Sequence, residues 1–319
     1  MNYKEAENKI SALCENLERV IRGKRSAIEL SVAALLSRGH LLIEDVPGVG
    51  KTTLAHSIAR SIDASFKRIQ FTSDLLPSDV LGVTIYNQST GNFEFKHGPI
   101  FANVVLADEI NRATPKTQSA LLQAMNEAEV SIENITYALP APFFLLATQN
   151  PLDYAGTFPL PESQLDRFAM RIRLGYPSSE IEQEIITRGK EELTPESLSP
   201  VLGSNEVREL QDLRETVTVE KDLTEYIVSI VRATREHKEV RLGASPRGAM
   251  CILRSAQSLA LIRGREFCTP DDIKAVAVAT LGHRVITSSY GSGGTDSGEK
   301  GAEGDLIIEE ILSEIKVPL

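Results

Sequence analysis

A glycine-rich segment contains the residue types that most clearly suggest chemistry. It reads Asp-Val-Pro-Gly-Val-Gly-Lys-Thr-Thr from Asp45 to Thr53, between an apolar run and a helical pattern of apolar residues. Glycines let backbone N–H groups close around a phosphate, and the positive end of the following helix faces that anion. We expect Lys51 to reach the β- and γ-phosphates of a nucleotide and the Thr52 hydroxyl to bind Mg²⁺. The predicted phosphate-loop contacts are Pro47, Gly48, Val49, Gly50, Lys51, Thr52 and Thr53.

One position of this loop departs from the usual pattern. The pattern GxxxxGK[ST] begins with glycine, where this chain has Asp45. We expect Asp45 to end a strand without touching phosphate. The alternative is a glycine-rich turn between a strand and a helix, with an incidental lysine.

Polar residues end two further apolar runs. Asp108 and Glu109 end the run 103–109, and Asn150 ends the run 143–150. We expect Asp108 to hold Mg²⁺ through its water shell and Glu109 to act as the general base on the attacking water. Ligands of open α/β sheets lie beyond the carboxyl ends of the strands, so Asn150 could hold the water or the γ-phosphate. Each feature alone is also consistent with a helix cap or a turn.

The elements that position these residues follow from the hydrophobic pattern. Short apolar runs at 41–43, 66–71, 104–107, 143–147 and 168–174 alternate with helical patterns. Such alternation predicts an α/β fold with a parallel, doubly wound sheet. Two alternating segments, about 83–95 and 130–137, predict β-hairpin insertions. We expect this α/β core to span residues 1–176.

The carboxyl-terminal part, 177–319, has the pattern of an all-helical domain. Helix starts are predicted at Asp222, at Ser245-Pro246 and at Thr269, where Thr-Pro-Asp-Asp resembles a capping box. Residues 288–304 are rich in glycine and serine and predict a linker. A short amphipathic helix, 305–315, is predicted to dock back onto the domain.

Composition limits the classes of function. The net charge is −10, from 34 Lys and Arg against 44 Asp and Glu, so nucleic-acid binding is not expected. No apolar segment approaches the roughly 20 residues of a membrane helix, and the amino-terminal residues do not resemble a signal peptide. Three cysteines without a CxxC pair indicate reduced thiols and a cytoplasmic location. The histidines lack HExxH spacing, so no zinc site is expected.

Five segments together resemble a known family. DVPGVGKTT, VVLADEINRA, ATQNP, PLPESQLDRF and GASPRG are similar, in order and across essentially the whole chain, to motifs of the MoxR family of AAA+ ATPases. The resemblance implies a P-loop core with a five-stranded parallel sheet and a helical lid. It also implies that the two hairpins are the helix-2 and pre-sensor-1 insertions, that the subunits form a hexameric ring, and that a partner carries a von Willebrand A domain.

The resemblance also implies roles for single residues. Asn150 would be sensor 1, Arg167 the arginine finger that reaches a neighbouring subunit's nucleotide, and Arg247 sensor 2 on the lid. The adenine would pack against the backbone around Val20, Ile21 and Gly23. From the residues alone, a surface ion pair is the favoured interpretation of Arg167, and Asp166 beside it could orient it. Asn111 and Arg112 could couple hydrolysis to a neighbour.

These residues predict an ATP- and Mg²⁺-dependent ATPase that remodels or matures a protein client as a homo-oligomeric ring. One alternative is an ATP-gated adaptor with little turnover, which Glu109 and Arg167 disfavour. A second is a nucleic-acid motor, which the acidic charge and the lack of a basic–aromatic stripe disfavour. A third is a magnesium-chelatase-like enzyme, although no residue suggests a tetrapyrrole contact.

Overall fold

Strands and helices alternate through the first half of the chain. The computed structural model describes residues 1–133, 135–150, 157–188, 194–288 and 297–318. The strands are β1 (Leu41–Glu44), β2 (Phe66–Gln70), β3 (Gly82–Asn87), β4 (Asn92–His97), β5 (Val104–Asp108), β6 (Glu129–Ile132), β7 (Ile135–Ala138), β8 (Phe144–Gln149), β9 (Met170–Ile172), β10 (Val240–Leu242) and β11 (Ile286–Thr287). The helices are α1 (Tyr3–Glu18), α2 (Arg25–Leu36), α3 (Lys51–Ser61), α4 (Pro77–Leu81), α5 (Pro115–Glu127), α6 (Glu162–Leu165), α7 (Ser179–Arg188), α8 (Ser204–Glu215), α9 (Lys221–Glu236), α10 (Pro246–Ile262), α11 (Pro270–Leu281) and α12 (Ser297–Glu314).

A five-stranded sheet in the order β2-β5-β8-β1-β9 forms the centre of the core, and every neighbouring pair is parallel. Leu41 and Ile43 of β1 belong to one apolar cluster and Leu42 to a second. Both faces of β1 are therefore buried, as expected where helices cover both faces of a parallel sheet. The predicted α/β fold is confirmed. The carboxyl ends of the strands meet at one edge, where β1 leads into the glycine-rich loop and β5 ends in Asp108.

Two antiparallel hairpins extend from this core. β3 pairs with β4 and β6 pairs with β7, close to the segments 83–95 and 130–137 that the alternating pattern indicated. The rings of Phe95 and Tyr137 lie 4.4 Å apart between centroids, which brings the two hairpins into contact. Phe93 and Tyr86 lie further along the first hairpin and are largely exposed, Phe93 at 75%.

Helices dominate the carboxyl-terminal part, and they pack on the core. α10 contacts α1 and α2 as well as α8, α9 and α11, so one apolar cluster includes residues from both parts of the chain. The capping box at Thr269 and Asp272 is present at the start of α11. The predicted helical lid is confirmed, although β10 and β11 form a short antiparallel pair within it.

Two predicted boundaries in the helical part were wrong. α9 begins after Glu220, so Asp222 lies in the first turn, where its carboxylate still interacts favourably with the helix dipole. α12 begins at Ser297, not at residue 305, while 289–296 of the predicted linker lie outside the described residues. Glycine lowers helix propensity by only about 1 kcal/mol, and a Cβ at Gly304 would overlap the Gly282 carbonyl. Close packing on α11 therefore explains a glycine inside this helix.

The docking of the last helix agrees with its amphipathic pattern. Ile307, Ile308 and Ile311 are buried, and α12 contacts α9 and α11. None of the helices in the described part of the chain is long and apolar enough to cross a membrane.

Candidate nucleotide-binding site

The glycine-rich loop joins β1 to α3 with the geometry of an anion site. Gly48 and Gly50 have φ of +85° and +96°, a region that side-chain-bearing residues rarely adopt. α3 begins at Lys51 directly after Gly50, so the first N–H groups of the helix face the loop. A Cβ at Gly48 would meet no atom within 4 Å, so the loop is open on that side. The loop and the helix start can therefore surround a phosphate group.

Asp45 has a role at the position where such loops usually have glycine. One carboxylate oxygen accepts hydrogen bonds from the N–H groups of Leu174 and Gly175, both at 2.7 Å, and the other accepts from Val46 N–H at 2.9 Å. The carboxylate thus holds the chain that leaves β9 against the start of the loop. Asp45 directly follows Glu44, the last residue of β1, and its carboxylate joins this strand end to the end of β9.

Lys51 lies between the loop and the acidic residues. Its Nζ donates to the Asp45 carbonyl at 2.6 Å. Burial lowers the pKa of Lys51 below its usual value, and the charges of Asp45, Asp108 and Glu109 partly oppose that effect. These electrostatic interactions show that Lys51 lies near Asp108 and Glu109 in one site. A bound phosphate would add a further negative partner for Lys51.

The carboxylate of Asp108 is buried, and both of its oxygens accept hydrogen bonds. Oδ1 accepts a hydrogen bond from the Thr148 hydroxyl at 2.6 Å, and Oδ2 accepts from Arg68 Nε and Nη2 at 3.0 and 2.6 Å. Such charge-assisted contacts fix the position of a carboxylate. Asp108 is therefore held in place with the Arg68 guanidinium beside it.

Glu109 follows Asp108 in an unusual backbone conformation. Its φ is +57°, a left-handed conformation that non-glycine residues rarely adopt outside sites where the surroundings enforce it. The Glu109 N–H donates to Thr148 Oγ1 at 2.9 Å, while Oε2 accepts from Gln70 Nε2 at 3.1 Å and pairs with Arg112 Nε at 3.0 Å. Arg112 thus contacts the predicted base of its own chain.

A cavity of about 320 Å³ adjoins the loop. Its walls come from the α1–α2 turn, the glycine-rich loop, the segment before α7, the first turns of α7 around Ile181, and Thr194 and Pro195. Several of the predicted nucleotide contacts line this cavity, namely Val20, Ile21, Gly48, Val49, Gly50 and Thr53. At Gly23, φ is +66° and a Cβ would overlap Ile181 Cδ1, so glycine permits the close approach of α7. The cavity is concave, largely apolar and next to the phosphate loop, as a nucleoside site requires.

The residues at the loop suit a magnesium nucleotide. Mg²⁺ takes oxygen ligands and usually keeps several waters. Thr52 in the first turn of α3 and Asp108 at the end of β5 supply a hydroxyl and a carboxylate, and the open loop leaves space for phosphate oxygens. Asn150 directly follows β8, whose last residue, Gln149, accepts a hydrogen bond from Asp45 N–H at 3.2 Å. Asn150 therefore lies near the loop, at the same edge of the sheet.

Arg167 lies at the other edge. It precedes β9, and Met170 of β9 is level with Leu41, the first residue of β1, while the loop follows the last residue of β1. Because β1 and β9 run parallel, Arg167 belongs to the amino-terminal edge of the sheet. Its Nη1 donates to the Leu122 carbonyl of α5 at 2.8 Å.

Arg247 reaches that same edge from the lid. It donates to Asn126 Oδ1 in α5 and lies close enough to His40, which precedes β1, to lower the pKa of that histidine. The structure therefore groups Arg167 and Arg247 together and separates both from their own chain's loop. The carboxylate of Asp166 binds Arg284 and Ser245, not the side chain of Arg167 as expected.

Sequence reasoning assigned no role to Thr148, Arg68 or Gln70. Arg68 and Gln70 are two residues apart in β2, so they project from the same face of the strand, where they meet the acids. Two long polar residues at this spacing beside apolar Ile69 were the available signal. Thr148 lies in the segment ATQNP, and its side chain is fully buried.

Comparison with known proteins identifies the family. Residues 40–170 match the profile described as "ATPase family associated with various cellular activities (AAA)", and residues 232–304 match that of the AAA lid domain. The chain is 48% identical over 305 residues to Bacillus subtilis "Uncharacterized protein YeaC", which spans 96% of this chain and 93% of the relative. It is 40% identical over 311 residues to "Chaperone MoxR1" of Mycobacterium tuberculosis, across 95% of this chain and 80% of that protein.

A solved structure shares the whole architecture. A protein of Cytophaga hutchinsonii, provisionally assigned as an ATPase, has a crystal structure that matches with a TM-score of 0.88 and 38% identity, over 99% of this chain and 97% of that one. The relatives, the profiles and the site geometry lead to one assignment. The chain belongs to the MoxR family of AAA+ ATPases.

Proposed function

We propose that this protein binds ATP with Mg²⁺ and hydrolyses it to remodel or mature a protein client. The observation that carries the proposal is the convergence of the open glycine loop, Lys51 and the pair Asp108–Glu109 at one edge of the sheet. A binding site for a nucleotide needs the loop and the lysine. A fixed carboxylate pair beside them adds what hydrolysis requires.

Each residue has a distinct task in this proposal. Backbone N–H groups of the loop and Lys51 bind the phosphates, and the cavity beside Val20, Ile21 and Gly23 takes the nucleoside. Thr52 and Asp108 hold Mg²⁺, which when bound offsets negative charge on the phosphates. Glu109 accepts a proton from the attacking water, and Asn150 orients that water or the γ-phosphate.

The two arginines support assembly. Arg167 and Arg247 lie at the amino-terminal edge of the sheet, at the opposite end of β1 from their own loop. We therefore propose that both act on the nucleotide of an adjacent subunit. A finger offered in this way stabilises the charge that develops on the transferring phosphoryl group and can be worth about 10³–10⁵ in rate. We propose a homo-oligomeric ring, with six subunits by family resemblance, whose nucleotide sites lie between subunits.

Further parts of the proposal rest on the family resemblance and on the pattern and composition of the sequence. A von Willebrand A domain protein is the proposed partner, and the cytoplasm is the proposed location. We also propose that the chain divides near residue 176 into the α/β core, 1–176, and the lid, 177–319. The acidic charge of −10 favours protein clients over nucleic acid.

The decisive experiment separates nucleotide binding from turnover. Glu109→Gln removes the proposed base while keeping its shape, so it is expected to bind ATP with unchanged affinity and to lose turnover by a factor of about 100 or more. Glu209→Gln, an exposed change in α8, is the matched control and is expected to retain both. Full turnover by Glu109→Gln would show that the base is misassigned. ATP binding without any turnover in the unaltered protein would favour the adaptor alternative.

A further inference from the structure

The short turn that contains Arg167 is held by a buried arginine of the lid. Arg284 follows α11 and its side chain is only 1% exposed. Its Nε donates to Asp166 Oδ1 at 2.9 Å and its Nη2 to the Asp166 carbonyl at 3.1 Å. The same guanidinium also donates to the carbonyls of Phe168, through Nη2, and of Ala169, through Nη1 at 3.2 Å. Arg284 therefore binds the residues on both sides of Arg167.

Two other lid residues bind the same turn. Ser245, the N-cap of α10, donates through its hydroxyl to Asp166 Oδ2 at 3.0 Å. His283 Nε2 lies 3.2 Å from the Phe168 carbonyl. The turn 166–169 is thus attached to both α10 and the end of α11. Each of these contacts joins the lid to the core within one chain.

Burying an arginine is unfavourable unless its donors are satisfied, and an apolar residue could fill the same space. Here the planar fork of Arg284 makes four contacts to the carboxylate and carbonyls of the turn, and it also contacts the Thr280 carbonyl, His283 Nε2 and Cys251 Sγ within the lid. The guanidinium therefore ties the turn to the lid. Arg167, between the held residues, is half-buried and donates through Nη1 to the Leu122 carbonyl in α5. The residues on both sides of Arg167 are therefore held by the lid of its own subunit.

We propose that Arg284, through Asp166, is a positioning residue for Arg167. The inference rests on the proposed function, in which Arg167 stabilises charge at a neighbouring subunit's nucleotide. The lid of each subunit fixes the arginine that the subunit presents to its neighbour. A finger displaced by about 1 Å can lose on the order of 100-fold in rate while the nucleotide site of the same chain stays intact.

The test is a double-mutant cycle in the full-length protein. Asp166→Asn is expected to lower kcat about tenfold, with KM for ATP and the affinity for a fluorescent ATP analogue unchanged. Arg167→Ala lowers kcat further, and the double variant is expected to equal Arg167→Ala alone, because Asp166 acts only through Arg167. A merely structural role would instead add its own loss to the double variant, and that result would overturn the proposal.

A matched pair of substitutions separates positioning from stability. Arg284→Lys and Arg265→Lys both shorten a carboxylate-bound arginine of the lid, but Arg265 binds Asp272 within α11, away from the turn. Both are expected to lower the melting temperature, and only Arg284→Lys is expected to lower kcat below that temperature. Equal kcat in the two variants, or full kcat in Asp166→Asn, would overturn the positioning role. Full kcat in Arg167→Ala would instead reject the finger assignment of the proposed function, and with it the basis of this inference.

Discussion

Thr148 donates a hydrogen bond through its hydroxyl to Asp108 Oδ1 at 2.6 Å. Thr148 Oγ1 also accepts a hydrogen bond from the Glu109 N–H at 2.9 Å. One fully buried side chain of β8 therefore fixes both acids at the end of β5. A threonine can do this because its hydroxyl donates once and accepts twice. The left-handed conformation of Glu109 thus has a specific support from the neighbouring strand.

Replacing Thr148 by Val is expected to damage turnover. Valine keeps the shape but leaves the Glu109 N–H without its acceptor, at a cost of about 1–3 kcal/mol in folding stability. Because the proposed base is then less well fixed, we expect kcat to fall about tenfold or more. Thr148→Ser, which restores the hydroxyl, is the control. Steady-state ATPase rates and thermal unfolding measure both effects, and full activity in the valine variant would contradict the role of this bridge.

The guanidinium of Arg68 is expected to weaken Mg²⁺ binding in the unaltered protein. Its guanidinium binds the Asp108 carboxylate with two nitrogens, although the Arg68 side chain itself is 49% exposed. A cation at this carboxylate disfavours a second one, so Arg68→Gln should lower the Mg²⁺ concentration for half-maximal nucleotide binding several-fold. Titration of Mg²⁺ against the fluorescence of a bound ATP analogue measures this. Lys67→Gln, at the neighbouring position of β2, is the control. A higher Mg²⁺ requirement in Arg68→Gln would contradict the idea that Arg68 disfavours Mg²⁺ at Asp108.

The position and type of the core strands could be predicted because their sequences are constrained from both sides. Leu41, Leu42 and Ile43 are all apolar since helices cover both faces of β1, and the same holds for β5. Polar residues directly after such runs then lie at one edge. The loop, Asp108, Glu109 and Asn150 followed from that logic.

The partners of those residues could not be predicted, because they depend on which strands become neighbours. Arg68 meets Asp108 only because β2 pairs with β5, and this pairing is not encoded in either segment alone. The lid contacts of Asp166 likewise depend on how α10 and α11 pack on the core. Local sequence suggested Arg167 as the partner of Asp166, whereas tertiary packing supplies Arg284.

Asp45 is expected to stabilise the fold more than glycine would. Asp45→Gly restores the usual loop pattern but removes the acceptors of the Leu174 and Gly175 N–H groups. Two lost hydrogen bonds to a charged group are expected to lower the free energy of unfolding by about 2–4 kcal/mol. Chemical denaturation measures this, with Asp45→Asn expected to be intermediate. An Asp45→Gly variant as stable as the unaltered protein would show that these bonds contribute little.

Buried histidines are expected to make stability depend on pH. Burial lowers the pKa of His40 from 6.5 to about 4, with an opposing hydrogen bond to the Met125 carbonyl and a further lowering by Arg247. The pKa of His283 is also lowered well below its usual value, mainly by burial. In the unfolded chain both take up a proton near pH 6.5, so folding excludes protons and stability falls as the pH decreases below that value. For His40 the full effect at pH 4 is about 3 kcal/mol.

His40→Gln tests this dependence. Leu145 N–H donates to His40 Nδ1, so the neutral ring donates from Nε2 to the Met125 carbonyl, and the glutamine amide can donate to the same carbonyl. The unfolding free energy of the unaltered protein should fall more steeply between pH 7 and 5 than that of the variant. Parallel pH profiles would show that His40 is not the group responsible.

Complementation between inactive subunits is expected to demonstrate that Arg167 acts on a neighbour. Lys51→Ala subunits should lose nucleotide binding yet still present Arg167, whereas Arg167→Ala subunits bind nucleotide and lack the finger. Each variant alone is expected to be inactive, and a mixture should regain part of the ATPase activity, because some intact loops then face an intact arginine. The control mixture combines Lys51→Ala subunits with Glu109→Gln subunits, since Glu109 lies beside the loop of its own chain. Those mixtures should regain no activity, although both variants still contain Arg167. Activity confined to the first mixture requires a site shared between subunits, and equal inactivity of both mixtures would place Arg167 outside the neighbour's site.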